Sequence, residues 1–514
     1  MRRKDRIQPG QLANLLLCTF LLGGLLAACS GKTETGSSGN ANPAGSSTSG
    51  GKPQSGDFDE PYKLTIMLDN FTAENPPAES DAMTFLRETT KTDIDITWVP
   101  RTSYTEKLNA TIASNTMPKV VVSLDIKTPA IINAIRSGVF WEIGPYLEDY
   151  PRLAAMSPVL KNNVLVDGKL YAIPRHLDLA SNGFVYRSDW VKDLGMQPPA
   201  TLEDVYELAK AMVHNDPDGN GKPDTYGLIE HNDPEGFDQV VLLLGGPYKW
   251  LVENDAFVPY FETPEYREAL DFYKRLYDEK LVNQDFAAIN KEQRSELIEN
   301  GKGGMMFAYA YQITERLPII RKTVPDADME MGNLAGPKGE RLMPSLGYTG
   351  LYLIPKSSVK TEAELKRVLQ FFEDLADPRV QTFMQWGLED VHYKMENGKP
   401  VKIDEARYQT EINILRRLKP HTMSEAPDGV NSPDVDKVLT YFKEKEDKVV
   451  GDPSLAYISD TYAERGTELT KIIEDARIKY IMGMIDENGW NDAVAEWHKK
   501  GGDKIVQEYS DQLK

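Results

Sequence analysis

From Tyr62 onward, short runs of aliphatic and β-branched residues alternate with amphipathic helical stretches, and this alternation restricts the fold more than any other feature of the chain. Tyr62 to Leu68 (YKLTIML) alternates apolar residues as a strand does, Ala82 to Thr89 has helical spacing, and Ile94 to Trp98 returns to strand. This is a βαβ opening. Glu106 to Ser114 again reads as helix, and Lys119-Val-Val-Val-Ser-Leu124 is a short β-branched run of the kind buried on both faces in a parallel sheet. Further along, Thr201-Leu-Glu-Asp204 has the form of a capping box, followed by Val205, Leu208, Ala209 and Met212 on one helical face. Thr263-Pro264 occupies favoured N-cap and N1 positions ahead of a stripe of Tyr266, Leu270, Tyr273 and Tyr277. Thr361 to Glu364 caps a third helix carrying Leu365, Val368, Leu369 and Phe372, and the last hundred residues read as mostly helix. No internal repeat interrupts the pattern. It predicts an α/β protein with two lobes, whose ligand sits at the carboxyl ends of strands.

The first residues indicate where such a body works. Arg2, Arg3, Lys4 and Arg6 precede an uncharged run from Leu12 to Ala28, the layout of a secretory signal. The run contains Asn14, Gly23 and Gly24 and is shorter than the roughly 20 apolar residues of a membrane span, so a soluble body is expected. Leu26-Ala27-Ala28-Cys29 resembles the bacterial lipobox, which makes residues 1–28 a signal peptide and Cys29 the acylated new N-terminus. From Ser30 to Gly56 there is no aliphatic residue larger than alanine, so residues 29–56 are expected to be a lipidated, flexible tether.

The chain has 514 residues with 79 acidic and 59 basic side chains, a net charge of −20, which argues against nucleic acid as a partner. Cleavage before Cys29 removes four basic residues and one acidic one and leaves −23, so the body cannot adhere to anionic lipid by charge, and attachment falls to acyl chains. The two cysteines, Cys18 and Cys29, both precede the body, which excludes an internal disulfide and a CxxC zinc site there. The histidines at 176, 214, 231, 392, 421 and 498 form no HExxH pair, and there is no GxSxG elbow or Walker loop. Paired carboxylates remain open among so many acids, so a membrane-anchored glycan-degrading enzyme is the alternative to a binding protein.

Two local features point to ligands. In Asp216-Pro-Asp218-Gly-Asn220-Gly221-Lys222-Pro-Asp224, acidic or amide groups fall at positions 1, 3, 5 and 9 of an EF-hand-type loop, with glycine at 6 and the Lys222 carbonyl at 7. Position 12 is Gly227 instead of glutamate, and the exit reads as strand, so a structural calcium site is expected, not a switch. Tyr309, Tyr311, Tyr348, Trp386 and Tyr393 sit near glycines or strand ends and offer flat faces for a ring-shaped polar ligand.

Several segments together resemble the extracellular solute-binding lipoproteins of family 1, the maltose-binding type that serves carbohydrate ABC importers. Tyr104 to Ser114 with Met117 to Val121 is similar to the family's helix and "PDV" strand entry, Asp167-Gly-Lys-Leu-Tyr-Ala-Ile-Pro174 to its "GKLYAIP" hinge entry, and Tyr186-Arg-Ser-Asp-Trp190 with Leu194-Gly195 to "Y.R.DW…LG". Gly301 to Met305 resembles the "GKxAM" turn, and Trp386-Gly-Leu-Glu-Asp-Val-His-Tyr393 the "WGIEGVHY" segment of the long lipoprotein branch, which also has the calcium loop. Asn115 and Lys119 depart from the usual glycine and aspartate. The resemblance implies a periplasmic-binding-protein-like fold with discontinuous lobes: residues 57–174 plus 356–420 in lobe one, and 175–355 plus 421–514 in lobe two. It implies a monomer that is no enzyme, held at the outer face of the bacterial membrane and delivering a carbohydrate, in particular an oligosaccharide, to permease subunits. Carried over by position, Asp69, Asn70, Ser123, Asp125, Arg175, Asp178 and Tyr311 become candidate sugar contacts, with Tyr348 and Trp386 as further ring surfaces. His392 is expected to be a buried, satisfied histidine.

Overall fold

The computed structural model describes residues 61–70, 75, 77–420 and 429–513. The leader, Cys29 and the tether lie outside the described residues.

The predicted βαβ opening is present. Strand β1 (Tyr62–Asn70) pairs in parallel with β2 (Thr92–Pro100) along its whole length, from Tyr62 opposite Thr92 to Asn70 opposite Pro100, and on its other side with β3 (Val120–Ser123). The crossover helix Asp81–Thr90 begins where the Ser80 hydroxyl accepts the Met83 N–H, and it buries Ala82, Met83 and Leu86. The three valines of β3 are fully buried, as a strand covered on both faces requires. The remaining main strands are β4 (Ala172–His176), β5 (Asn182–Arg187), β6 (Tyr226–Leu228), β7 (Gly303–Tyr309), β8 (Met329–Gly332) and β9 (Tyr348–Leu353).

These nine strands form two sheets, each the centre of one α/β lobe. The first has the order β2-β1-β3-β9-β4, with β9 antiparallel to both neighbours; the second has the order β8-β5-β7-β6, with β7 parallel to β6 and antiparallel to β5. Separate apolar cores surround them: Leu64, Ile66, Val120–Val122, Leu351–Leu353 and Phe372 in the first, and Phe184, Leu228, Leu270, Met305 and Trp490 in the second. The three predicted helix caps are all formed. Thr201 Oγ1 accepts the Asp204 N–H at 3.2 Å while Asp204 Oδ2 accepts the Thr201 N–H at 2.9 Å, and helix Leu202–His214 follows with Val205, Leu208, Ala209 and Met212 buried. Among the described residues, no helix is long and apolar enough to cross a membrane.

One expected boundary meets the hydrogen bonding of the first sheet. A division at 355/356 assigns β9 to lobe two, yet Leu351 pairs with Ser123 on one side and Pro174 on the other, and Leu351–Ile354 are fully buried. Similarly, β4 continues through Arg175 and His176 in the same sheet. The chain therefore leaves the first sheet after His176 and returns before Tyr348. The division at 355/356 came from the family resemblance, and a fully buried strand such as Leu351–Leu353 shows no alternation that would have marked it locally.

Candidate functional site

Because β1, β2 and β3 are parallel, their carboxyl ends share one edge of the first sheet. The antiparallel β9 brings its start to that edge, and β4 brings its end there through the pairing of His176 with Tyr348. Asp69, Asn70, Arg101, Ser123, Arg175 and Tyr348 are thereby collected from five segments of chain.

Asp69 is the centre of this edge. Its side chain is fully buried; Oδ1 accepts Arg175 Nη1 at 2.6 Å, Oδ2 accepts Arg101 Nη1 at 2.6 Å, and Arg417 Nη1 stands 3.8 Å away. Burial pushes the Asp69 carboxyl upward, but the hydrogen bond and charge of Arg175, the charge of Arg417 and the hydrogen bond from Arg101 prevail and hold it below the usual carboxylate range. Arg175, itself 1% exposed, donates from Nε to Thr349 Oγ1 at 3.0 Å and from Nη2 to the Thr349 carbonyl at 2.7 Å. Gly350 makes room for that guanidinium, since a Cβ there would lie 2.9 Å from Nη2. Asp69 and Arg175, expected as sugar contacts, are thus an ion pair set behind the edge. Arg101 and Arg417, which stand in front of it, were not singled out from the sequence. Their signals are weak but real: Arg101 directly follows a strand end, and Arg416-Arg417 with Lys419 is a basic run.

The other candidates at this edge have local roles as well. Asn70 Nδ2 donates to Asn75 Oδ1 at 2.7 Å, and Ser123 Oγ donates to the Asp125 carbonyl at 2.7 Å. The exposed Asp125 accepts the Lys127 N–H at 2.7 Å and so closes the turn leaving β3. Asp178 Oδ1 lies 3.5 Å from His176 Nε2, and the Asp178 carbonyl accepts Ser345 Oγ at 2.8 Å. Tyr348 is 5% exposed and belongs to the first core.

Tyr311 comes from the second lobe, at the turn between β7 and helix Gln312–Ile320. The residue is 39% exposed, with its ring set at a steep angle to that of Phe442 at 5.0 Å between centroids. Burial of the hydroxyl and the charge of Asp178 push its pKa up to about 12, against the pull of Arg416. Two residues from segments flanking the first-sheet edge thus act on a ring carried by the second sheet. Trp386 lies elsewhere. It ends helix Pro378–Trp386, is 3% exposed, and is covered so closely by Gly429 that a Cβ there would lie 2.1 Å from the indole. Expected in the cleft, it is a packed residue in this structure, because Gly429 lies against its ring. His392 is fully buried nearby, as expected, but it is not fully satisfied, since Nε2 has no hydrogen-bond partner. Its Nδ1 accepts the Leu388 N–H at 3.0 Å, which assigns the ring proton to Nε2, 3.4 Å from Glu411 Oε2.

Two acidic groups deserve comparison as cation sites. The predicted loop follows helix Leu202–His214 and turns through left-handed residues Asp216 (φ 48°), Gly219 (φ 67°) and Gly221 (φ 76°). Asp216 accepts the N–H groups of Asn220 (3.1 Å) and Gly221 (2.8 Å), while the Asn220 amide donates to Asp218 (2.5 Å) and Asp224 (3.1 Å). Burial, contact with Asp216 and the charges of Asp216 and Asp224 raise the Asp218 pKa, whereas Lys302, at 2.5 Å, and Asn220 lower that of Asp224. Oxygen donors crowded in this way suit a hard cation such as calcium, and Asp216, Asp218, Asn220, Asp224 and the Lys222 carbonyl are the groups that would hold it. The glycine at position 12 has a steric cause: a Cβ on Gly227 would lie 2.4 Å from Ala209 Cα, so the strand can press on the helix only without a side chain.

Among the described residues, the group of three His, Asp or Glu ligand atoms mutually within 4.8 Å is a different one, His231, Asp233 and Glu235. It already holds cations of its own: Lys291 Nζ is 3.1 Å and Arg294 Nη1 3.9 Å from Glu235, and Arg294 Nη1 is 3.3 Å from His231 Nδ1. Burial and the charges of Arg294, Lys291 and Arg477 push the His231 pKa down to about 3, so it is a neutral acceptor for Arg294. Glu230, pushed up to about 7 by burial, is 3% exposed and accepts Tyr273 Oη at 2.7 Å.

The comparisons agree with this architecture. Residues 68–387 match the family of bacterial extracellular solute-binding proteins. The polygalacturonan/rhamnogalacturonan-binding protein YtcQ of Bacillus subtilis is 35% identical over 97% of this chain and 98% of its own, and lipoprotein LipO of the same organism is 35% identical over 87% and 91%. A crystal structure of the alginate-binding protein AlgQ2 without calcium ion superimposes with a TM-score of 0.60 at 17% identity, covering 89% of this chain and 98% of that one. The chain belongs to the bacterial extracellular solute-binding protein family.

Proposed function

We propose that this chain is the lipid-anchored binding component of a carbohydrate ABC importer, capturing an oligosaccharide between its lobes and passing it intact to permease subunits. The observation that carries the reading is the pairing of a polar strand-end edge with an exposed aromatic ring from the other lobe, the combination that sugar hydroxyls and sugar faces require. Family membership and the names of the two relatives support it. In this reading lobe one holds β1–β4 and β9 with the chain up to about residue 420, lobe two holds β5–β8 with the C-terminal helices, and the crossings fall at 177–181 and just before Tyr348. A sugar favours the closed arrangement because only there can both lobes touch it at once. The protein works as a monomer on the outer face of the cell membrane.

Calorimetric titration of the full chain with an oligosaccharide panel tests the reading, with chromatography of the recovered sugar. Binding of an unaltered oligosaccharide supports it, and cleavage of the glycan would replace it with the enzyme alternative. Tyr311→Ala should weaken binding about tenfold, equivalent to about 1.4 kcal/mol, while the denaturant midpoint hardly moves. A stable variant with undiminished affinity would remove Tyr311 from the sugar site.

Cys29 is the acylation site in this proposal, so Cys29→Ser should shift the protein from membrane to medium or leave an uncleaved precursor. Normal maturation and membrane retention of that variant would exclude the anchor.

Calcium held by Asp216, Asp218, Asn220, Asp224 and the Lys222 carbonyl would neutralise the loop and tie helix Leu202–His214 to β6. At about a hundredfold excess over its dissociation constant, a bound ion stabilises the native state by about 2.7 kcal/mol. Chelation should therefore lower the thermal midpoint, calcium should restore it, and Asp218→Ala should abolish the response without abolishing sugar binding. A melting curve unmoved by chelator would leave the loop as a hydrogen-bonded turn.

A further inference from the structure

Among the described residues, the two most exposed aromatic ones are Tyr462, at 47%, and Tyr311, at 39%. Tyr311 is already assigned to the sugar site; Tyr462 has no role there. It stands in the first turn of helix Asp460–Ile481, which begins where Ser459 Oγ accepts the Tyr462 N–H at 2.9 Å. This helix runs from one lobe into the other. Ala463 packs against the first core, whereas Leu469, Ile473 and Ala476 belong to the second. Arg136, the last residue of first-lobe helix Pro129–Arg136, ties the start of the helix down through an ion pair with Asp460 at 2.8 Å.

The ring lies flat on its own helix. A Cβ at the buried Gly466 would stand 3.2, 3.1 and 3.1 Å from the consecutive ring atoms Cγ, Cδ2 and Cε2. Near-equal distances to three neighbouring atoms place that position over the face of the ring, since an edge-on approach would leave the outer two farther away than the middle one. Glycine is unfavourable inside a helix relative to alanine, and here its missing side chain is what lets the ring settle on the helix surface. One face is therefore covered, and the exposure belongs to the other. The hydroxyl is nonetheless enclosed: burial and the charge of Asp452 raise its pKa, against Lys249 and the Thr470 hydroxyl, and the charge of Asp125 raises it further. Asp125 closes the turn leaving β3 in the first lobe, and Lys249 pairs with Asp238 at 2.6 Å in the second. An exposed ring whose hydroxyl is acted on by groups of both lobes lies in a recess between them. The groups around Tyr311 are others, namely Phe442, Asp178 and Arg416. The two rings share none of these neighbours and so mark separate positions.

We propose that Tyr462 is a second sugar-stacking platform, set apart from Tyr311 in the interlobe recess, and that the protein thereby selects oligosaccharides by length. The inference rests on the oligosaccharide reading and deepens it. A ring already fixed on one face gives up little freedom when a sugar covers the other. The carboxylates of Asp452 and Asp125 are acceptors for the hydroxyl groups of a sugar lying there. One sugar unit can occupy only one position, whereas a chain that spans both makes its second contact within the same complex and gains affinity from it.

The test titrates the full chain with malto-, xylo-, manno-, fructo- and galacturono-oligosaccharides, each from the monosaccharide to the hexasaccharide. In a series that binds, affinity should rise at least about tenfold from the shortest binding member to the longest. Tyr462→Ala should cancel that rise, weakening the longest member about tenfold and leaving the shortest within about twofold, while the denaturant midpoint hardly moves. Tyr462→Phe, which keeps the ring and loses the hydroxyl, should bind every member within about twofold of wild type. The wild-type length series needs no variant to fold. Affinity independent of length overturns the platform, as does a Tyr462→Phe variant as weak as the alanine one. A stable Tyr462→Ala variant that binds the longest member undiminished, or that weakens all members alike, overturns it too, and in each of these cases the oligosaccharide reading stands. Failure of every member of every series to bind overturns both.

Discussion

Asp69→Asn should lower the stability of the protein by about 3–5 kcal/mol, because it leaves the 2%-exposed Arg175 side chain without its counter-charge and keeps Arg101 and Arg417 close by. Asparagine preserves the shape but turns one of the two acceptor oxygens into a donor facing a guanidinium, so the loss combines the charge with one hydrogen bond. The pH dependence follows from the direction of the Asp69 shift. Its folded pKa lies below its unfolded value, so its contribution is complete above about pH 4 and disappears as pH falls through the lower, folded value. The wild type should therefore lose stability in that acid window, and Asp69→Asn should lack the part due to this carboxylate. Urea midpoints at neutral and acid pH measure both effects. If the variant is fully stable at neutral pH and has lost sugar affinity, Asp69 is a ligand contact and not the anchor of the edge.

Trp386→Ala should cost a similar amount, about 3–5 kcal/mol, the range for removing a large aromatic side chain from a packed site. The indole is 3% exposed beneath Gly429, and beyond it the Gly387 turn (φ 85°) and His392 form one packed unit. Deleting it would leave a cavity beneath Gly429, which has no side chain with which to fill it. Sugar affinity of the folded fraction should be close to wild type. The opposite outcome, preserved stability with affinity lost, would return Trp386 to the cleft.

The comparison of Tyr311 with Trp386 shows where reading the sequence stops. Both rings stand next to a turn and both look suited to stacking, yet Tyr311 is 39% exposed and Trp386 3%. The difference lies in which distant segment covers each ring. For Trp386 it is Gly429, more than forty positions along the chain, and nothing within either local motif records that contact. The acidic loop was more legible, since its oxygen groups all lie between 216 and 224 and its turns depend on Asp216, Gly219 and Gly221 themselves. Even there, the reason for glycine at position 227 became visible only once Ala209 was seen against the strand.

Local spacing and capping chemistry determined most of the secondary structure: the βαβ opening, the three capped helices and the buried valine strand. These depend on hydrogen bonds and periodicities spanning a few residues, which the local order of side chains encodes. Tertiary structure decided the rest. The antiparallel insertion of β9 between β3 and β4 placed Tyr348–Leu353 in the first sheet, and the meeting of Arg101, Arg175 and Arg417 on Asp69 joined positions 69 to 417. An ion cluster of this kind is specified by strand order, because side chains hundreds of residues apart become neighbours only when their strands share an edge. The sequence could name the residues at each strand end, but the sheet had to form before they could become one charge cluster.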